Sequence, residues 1–200
     1  YGLEEKDFRG NLFPDVDWQM QGNNDVLTLT RPDVIADIHR RYLQAGADII
    51  CTNTFSSQRI SLADYHCEHL VKEINQAAVR LARSVADEFS TPDWPRFVVA
   101  SVGPTNKTCS MSPDVNDPAF RGITFDELAA AYLEQFVSLL ESGVDAVLME
   151  TIFDTLNTKA GIYAFRQATR QTGVQVPLML SVTVNDKAGR TLSGQTLEAF

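Results

Sequence analysis

Four short apolar runs constrain this chain most. Each finishes in polar residues, and a helix-length segment separates each from the next. They are Ile49 to about Thr54, Phe97–Val102 (FVVASV), the stretch DAVLMETI at 145–152 and the stretch PLMLSVTVND at 177–186. Helix signals fill the gaps. Pro32 sits at an early helix position, with Val34, Ile35, Ile38 and Tyr42 at helical spacing, and Gly46 stops that helix. A long amphipathic helix is expected over about 67–89. Thr124 and Glu127 form a capping box for a helix that stops at Gly143, and another runs from Asp154 or Thr155 to about Thr172. The first ~30 residues read as irregular, and LSGQTLEAF at 192–200 reads as the start of one more helix. Strands alternating with helices imply parallel βαβ units with right-handed crossovers, each strand buried on both faces. No linker or composition shift divides the chain, so it reads as one α/β domain over 1–200.

The strand tips carry the functional signal. They are Thr52-Asn53-Thr54, Gly103-Pro104-Thr105-Asn106, Glu150-Thr151 and Thr183-Val184-Asn185-Asp186. In parallel α/β folds ligands bind at the C-terminal ends of the strands, where these tips would converge. Any strand reaching the surface also ends in polar residues, so both readings stand for a single tip. Glu150 directly after AVLM favours the ligand reading. A partly buried carboxylate requires a partner, and a ligand ammonium supplies one.

Other chemistries find little support. The net charge of −9 argues against a nucleic-acid surface and against an anionic membrane. No apolar run approaches the roughly 18 residues of a membrane span. YGLEEKDFRG lacks the apolar core of a secretory signal, and three sparse cysteines, Cys51, Cys67 and Cys109, suit reduced thiols, so a cytoplasmic location is expected. His66, Cys67 and His69 in HCEH could clip a metal, but they start a long helix and read as solvated residues there. SVGPTN is no phosphate loop, since proline donates no N–H. DVNDP lacks the glycine and distal glutamate of a calcium loop and reads as Asx turns. Cys51 has no histidine evidently placed to activate it, because His39 lies on the preceding helix.

Motif by motif, the chain resembles the homocysteine-binding module of the cobalamin-dependent methionine synthases, within the homocysteine S-methyltransferases. The resemblance rests on FRGNLF, GNND, AGADIICTNTFSSQRISLADY, GPTNKT, SPDVNDPAFRGITFDELAAAYLEQ, METIFDTLNTKAGIYA and GRTLSGQT, and covers nearly the whole chain. ETIFDTLN and GRTLSGQT favour this group over betaine- or S-methylmethionine-dependent relatives. The resemblance implies a (β/α)8 TIM barrel, of which this chain would hold about strands 2 to 5, truncated at both ends. It implies a substrate pocket in which Glu150 accepts the homocysteine ammonium and Asn53, Thr54, Phe55, Gly103, Thr105, Asn106 and Thr151 shape the walls. Zinc on three cysteines would hold the homocysteine thiolate, and methylcobalamin, itself remethylated from 5-methyltetrahydrofolate, would supply the methyl group to give methionine. The partners implied are homocysteine and the folate- and cobalamin-binding modules of the same polypeptide. Position 51 departs from the pattern, where glutamate is common before Thr-Asn-Thr-Phe.

Two rivals remain open: a cobalamin-independent, zinc-dependent homocysteine methyltransferase, and a non-catalytic amino-acid-binding module. In the resemblance the zinc cysteines follow Phe200, so no catalytic or metal-binding residue is expected within 1–200, and the isolated segment is expected to be inactive and to bind neither zinc nor cobalamin. Equilibrium dialysis of the purified segment should therefore show no stoichiometric zinc. A tight one-to-one ion lost on Cys51→Ser is the contrary result.

Overall fold

The computed structural model describes residues 1–184, 187 and 189–200. Seven α-helices and four strands alternate along the described chain: α1 (Glu5–Arg9), α2 (Leu27–Thr30), α3 (Pro32–Gln44), β1 (Ile49–Cys51), α4 (Arg59–Leu62), α5 (Val71–Phe89), β2 (Phe97–Val102), α6 (Phe125–Glu141), β3 (Ala146–Ile152), α7 (Thr155–Thr172) and β4 (Leu178–Val182). The strands form one parallel sheet in chain order, β1-β2-β3-β4. Chain order is what a barrel requires; a doubly wound sheet reverses at a switch point. The architecture is that of part of a TIM barrel.

One face of the sheet is covered by helices. Ala100 and Val102 of β2 and Val147 and Met149 of β3 join Leu128, Tyr132, Phe136 and Leu139 of α6 and Ala160, Ala164, Phe165 and Ala168 of α7 in the largest core cluster. Ile50 and Val98 pack with Ala36 and Leu43 of α3 and with Ala82, Val85 and Ala86 of α5. Residues paired in register share a face, so Ile49, Phe97, Val99, Ser101, Ala146, Leu148 and Met179 point the other way, to the inner face. The expectation of strands buried on both faces is corrected here. On the inner face Ile49, Phe97 and Met179 are exposed, whereas Val99, Ser101 and Ala146 are buried, so the expectation holds for β2 beyond Phe97 and not for the ends and edges of the sheet.

The local signals place most elements. Thr124 and Glu127 cap α6 reciprocally, Asp154 caps α7 by accepting from the amides of Leu156 and Asn157, and Gly173 ends α7 in the left-handed region. β1 is shorter than its apolar pattern, ending at Cys51. Beyond it the Thr52 amide still donates to the Val99 carbonyl (2.9 Å), and side chains supply most of the remaining bonds that hold the chain. The expected helix at 192–200 is absent. Ser193, Gln195 and Thr191 bond one another and the backbone, and Ser193 ties the segment to the Phe153 carbonyl through its amide (3.2 Å) and hydroxyl (2.9 Å). The N-terminal region is more ordered than its polar sequence suggests. Phe8, Phe13, Met20, Val26 and Leu27 pack against Leu62, Val71 and Ile74.

Phe136 is fully buried, stacked on Tyr132 and edge-on to Phe165. Phe136→Ala should lower unfolding free energy by about 3–5 kcal/mol, read as a shift in denaturant midpoint with little change in slope.

Candidate functional site

Past the C-terminal ends of β1, β2 and β3 the chain forms a polar cleft of about 650 Å³. Asn53, Phe55 and Ser56 line one side, Thr105 and Asn106 another, Asp64 and Tyr65 a third, and the turn at Asn23–Asp25 a fourth. Pro104 and Phe153 also line a small adjoining recess bounded by Gly103, Glu150, Asp154 and Asn157. The β1, β2 and β3 tips thus lie on one end of the sheet. Of the β4 tip, Asn185 and Asp186 lie outside the described residues.

Glu150 sits near the end of β3 on the inner face, partly buried. Its Oε1 accepts a hydrogen bond from Ser101 Oγ at 2.6 Å. Local backbone geometry puts it there. Thr151 has φ of 57°, the left-handed region that a β-branched residue rarely enters, and the β3–β4 register shifts between Met149 and Ile152. Met149 and Ile152 both join the outer core, so two residues, Glu150 and Thr151, stand between consecutive outward side chains where strict alternation has one. The strained threonine, costing roughly 1–3 kcal/mol, therefore re-aims the strand tip.

The other predicted residues divide by environment. Thr54 is fully buried; its hydroxyl donates to the Ser101 carbonyl (2.7 Å) and lies 2.6 Å from Thr52 Oγ1. Thr52 Oγ1 accepts from the Ser101 amide at 3.2 Å. Hydroxyls thus bridge the tips of β1 and β2 where the ladder stops, and Ser101 links that bridge to Glu150. Asn53 donates its side-chain amide to the Asn24 carbonyl (2.8 Å) and to Thr28 Oγ1 (3.1 Å). Thr105 is buried and donates to the Lys107 carbonyl. Asn106 is exposed and donates to Asp64 Oδ2 at 2.8 Å. Gly103 donates its amide to the Phe55 carbonyl at 2.8 Å, and Tyr132 Oη donates to the Gly103 carbonyl at 3.3 Å.

Several residues here escape a search for polar strand tips. Ser101 lies inside an apolar run, and only its inward parity marks it. Asn75 and Gln135 are polar side chains on otherwise buried helix faces. Asp25 lies in GNND, far from any strand. Burial pushes the Asp25 carboxyl from 3.8 up to about 6, against the opposing hydrogen bonds from Ser57 and Ser56. The native protein therefore holds this proton more tightly than the unfolded chain, and the group disfavours folding as pH rises between those values.

The cysteines do not make a metal centre. Among the described residues no group of three or more His, Cys, Asp or Glu could hold an ion. Burial, followed by the nearby Glu150, raises the Cys51 thiol above its usual range; burial raises Cys67 to about 11, with Glu68 adding to it. Burial, Asp154 and Glu127 raise Cys109. His39 is buried on α3, where burial pushes its imidazole down to about 4.

With this geometry in place, comparison with known proteins is informative. The homocysteine S-methyltransferase family model matches residues 3–200. The chain belongs to the homocysteine S-methyltransferase family. Among solved structures it is similar to the homocysteine methyltransferase MmuM from Escherichia coli. The metallated form superposes with a TM-score of 0.69 at 18% identity, over 86% of this chain and 58% of that one. The oxidized form gives 0.66 at 19% identity, over 86% and 57%, and the apo form 0.60 at 20%, over 88% and 58%. These likenesses establish a shared fold. The chain spans less than two thirds of the length of that homocysteine methyltransferase.

Within this family member, the contact between Gly103 and Phe55 is the tightest at the cleft. A Cβ on Gly103 would lie 2.6 Å from the Phe55 ring. Gly103→Ala should destabilise the protein by about 1–3 kcal/mol. In a Phe55→Ala background the same change should cost much less, and chemical denaturation of the four-member cycle measures the difference.

Proposed function

We propose that this chain is the amino-acid-recognition part of a methyltransferase that transfers a methyl group to the thiolate of homocysteine, giving methionine. The observation that carries the proposal is Glu150. It is a carboxylate on the uncovered inner face at the C-terminal end of the sheet, fixed by Ser101 and beside a polar cleft, in a chain of this family. Glu150 accepts the substrate ammonium in a charge-assisted hydrogen bond, and the Ser101 hydroxyl keeps the carboxylate turned toward it. Asn53, Phe55, Thr105, Asn106 and the backbone at Thr54, Gly103 and Thr151 form the surrounding wall. Fixing the amino-acid end leaves the side chain to place sulfur in line with the incoming methyl group.

The finer assignment is methionine synthase, with methylcobalamin as donor and zinc at the substrate sulfur. ETIFDTLN and GRTLSGQT support it, and the structure gives the second motif a location, with Ser193 bonded to the Phe153 carbonyl at the cleft. Among the described residues no group of three or more His, Cys, Asp or Glu forms a zinc site. The partners in this reading are homocysteine and the folate and cobalamin modules of the same polypeptide, in the cytoplasm. The one-domain reading of 1–200, as a barrel segment continued on both sides, belongs with it. The cobalamin-independent alternative draws support from the fold shared with the E. coli homocysteine methyltransferase. Methyl transfer assayed with methylcobalamin and with small onium donors separates the two.

Glu150→Gln keeps size and removes charge. In the protein encoded by the complete reading frame it should weaken homocysteine binding by about 1.5–3 kcal/mol, or about 10- to 150-fold. Calorimetric titration checks this, and unchanged affinity in a folded variant removes Glu150 from the site.

A further inference from the structure

The turn at 23–26 lines one side of the cleft without a role in the proposed reading, and it holds the β1 tip. Asp25 is only 4% exposed. Its Oδ2 accepts from the Ser56 amide at 2.7 Å and from Ser57 Oγ at 2.6 Å. The residue before it, Asn24, accepts from Asn53 Nδ2 through its carbonyl. Asn23 Oδ1 in turn accepts from the Val26 amide at 3.3 Å and closes the turn. On the opposite side, Gln135 Nε2 donates to the Thr54 carbonyl (2.8 Å) and Asn75 Nδ2 to the Ser57 carbonyl (2.8 Å).

We infer that Asp25 is a positioning residue for homocysteine binding, holding Ser56 and Ser57 so that Asn53 and Phe55 keep their place in the wall of the cleft. The inference rests on the proposed reading of that cleft. The helix amides from α5 and α6 fix the carbonyls of the tip. Asp25 fixes its donors, the Ser56 N–H and the Ser57 hydroxyl. A carboxylate is costly to bury, and a packed apolar side chain would serve packing alone better. What the carboxylate adds is two short, directional, charge-assisted bonds to consecutive residues of the tip. Asp25 stands in the cleft wall only 4% exposed, with Oδ2 engaged by both donors, and acts through that segment rather than on the ligand.

The test uses the protein encoded by the complete reading frame, titrated with homocysteine. Asp25→Ala should raise Kd about tenfold. Asp25→Asn, whose amide oxygen still accepts, should raise it only about threefold. Ile74→Val, which loosens the cluster containing Val26 and Leu27 without touching the tip, should leave Kd unchanged. Amide exchange at Ser56 should quicken in Asp25→Ala while β2 keeps its protection. A folded Asp25→Ala with wild-type Kd overturns the inference, as does a rise in Ile74→Val equal to that in Asp25→Ala. Should Asp25→Ala fail to fold, a wild-type Kd in Asp25→Asn overturns it. Binding that responds to Glu150→Gln but not to Asp25 sinks this inference alone. Absence of homocysteine binding in the wild type overturns the reading of the site and this inference with it.

Discussion

Two buried side-chain amides hold the end of β1, and the geometry of the cleft depends on them. Gln135 reaches from α6 to the Thr54 carbonyl, and Asn75 bridges from α5 to the carbonyls of Ser57 and Val71. Both side chains are fully buried, on helix faces otherwise apolar. The strand beneath is only three residues long. The Thr52 amide and the Phe55 carbonyl still pair with Val99 and Gly103, but the Ser56 amide and the Ser57 carbonyl would otherwise be left unmatched, each costing about 1–3 kcal/mol. Amides from two helices and the carboxylate of Asp25 match the tip, while the Thr52 and Thr54 hydroxyls match the amide and carbonyl of Ser101 on β2. A loop that has left the sheet thus keeps a fixed shape, as a binding wall must.

This arrangement accounts for what the sequence disclosed and what it concealed. The outer faces of the strands and the inner faces of the helices pack apolar against apolar. Their alternation therefore shows in the residue pattern, as do caps such as Thr124 with Glu127 and Asp154. β2 and α7 lie where periodicity and caps place them. The length of β1 is not legible, because the β-branched Thr52 and Thr54 favour strand and only long-range partners divert them. The 192–200 segment failed for a related reason. LSGQTLEAF has helix formers at its end, but Ser193 finds the Phe153 carbonyl forty residues away. In the N-terminal segment Phe8, Phe13 and Met20 are too widely spaced to form a period, and become a cluster only when Leu62 and Ile74 arrive.

Legibility of the site follows the same division. Glu150 was visible as a charge directly after an apolar run. Its partner Ser101 was not, since a serine inside FVVASV reads as an ordinary small residue until the register of β2 against β3 puts it on the inner face. Thr54 and Thr105 show the converse. They stand at strand tips, and both hydroxyls donate to backbone carbonyls, while Thr105 still lines the cleft beside Asn53, Phe55 and Asn106. A polar tip marks the functional end of a parallel sheet; which of its side chains face the ligand is decided by long-range pairing.

Thr151 shows how such pairing can be used. Placing Glu150 inward while returning Ile152 to the outer core takes one extra residue in the strand, and that residue, Thr151, adopts positive φ. Glycine would do so without steric penalty, whereas threonine incurs one. The strain persists because both neighbours are over-determined: Ile152 by the packing of α6 and α7, and Glu150 by Ser101. The backbone between them cannot relax to regular strand without either exposing Ile152 or turning the carboxylate outward. The hydrophobic core behind the sheet therefore fixes the direction of the charge in front of it, which ties the stability of this domain to the shape of its site.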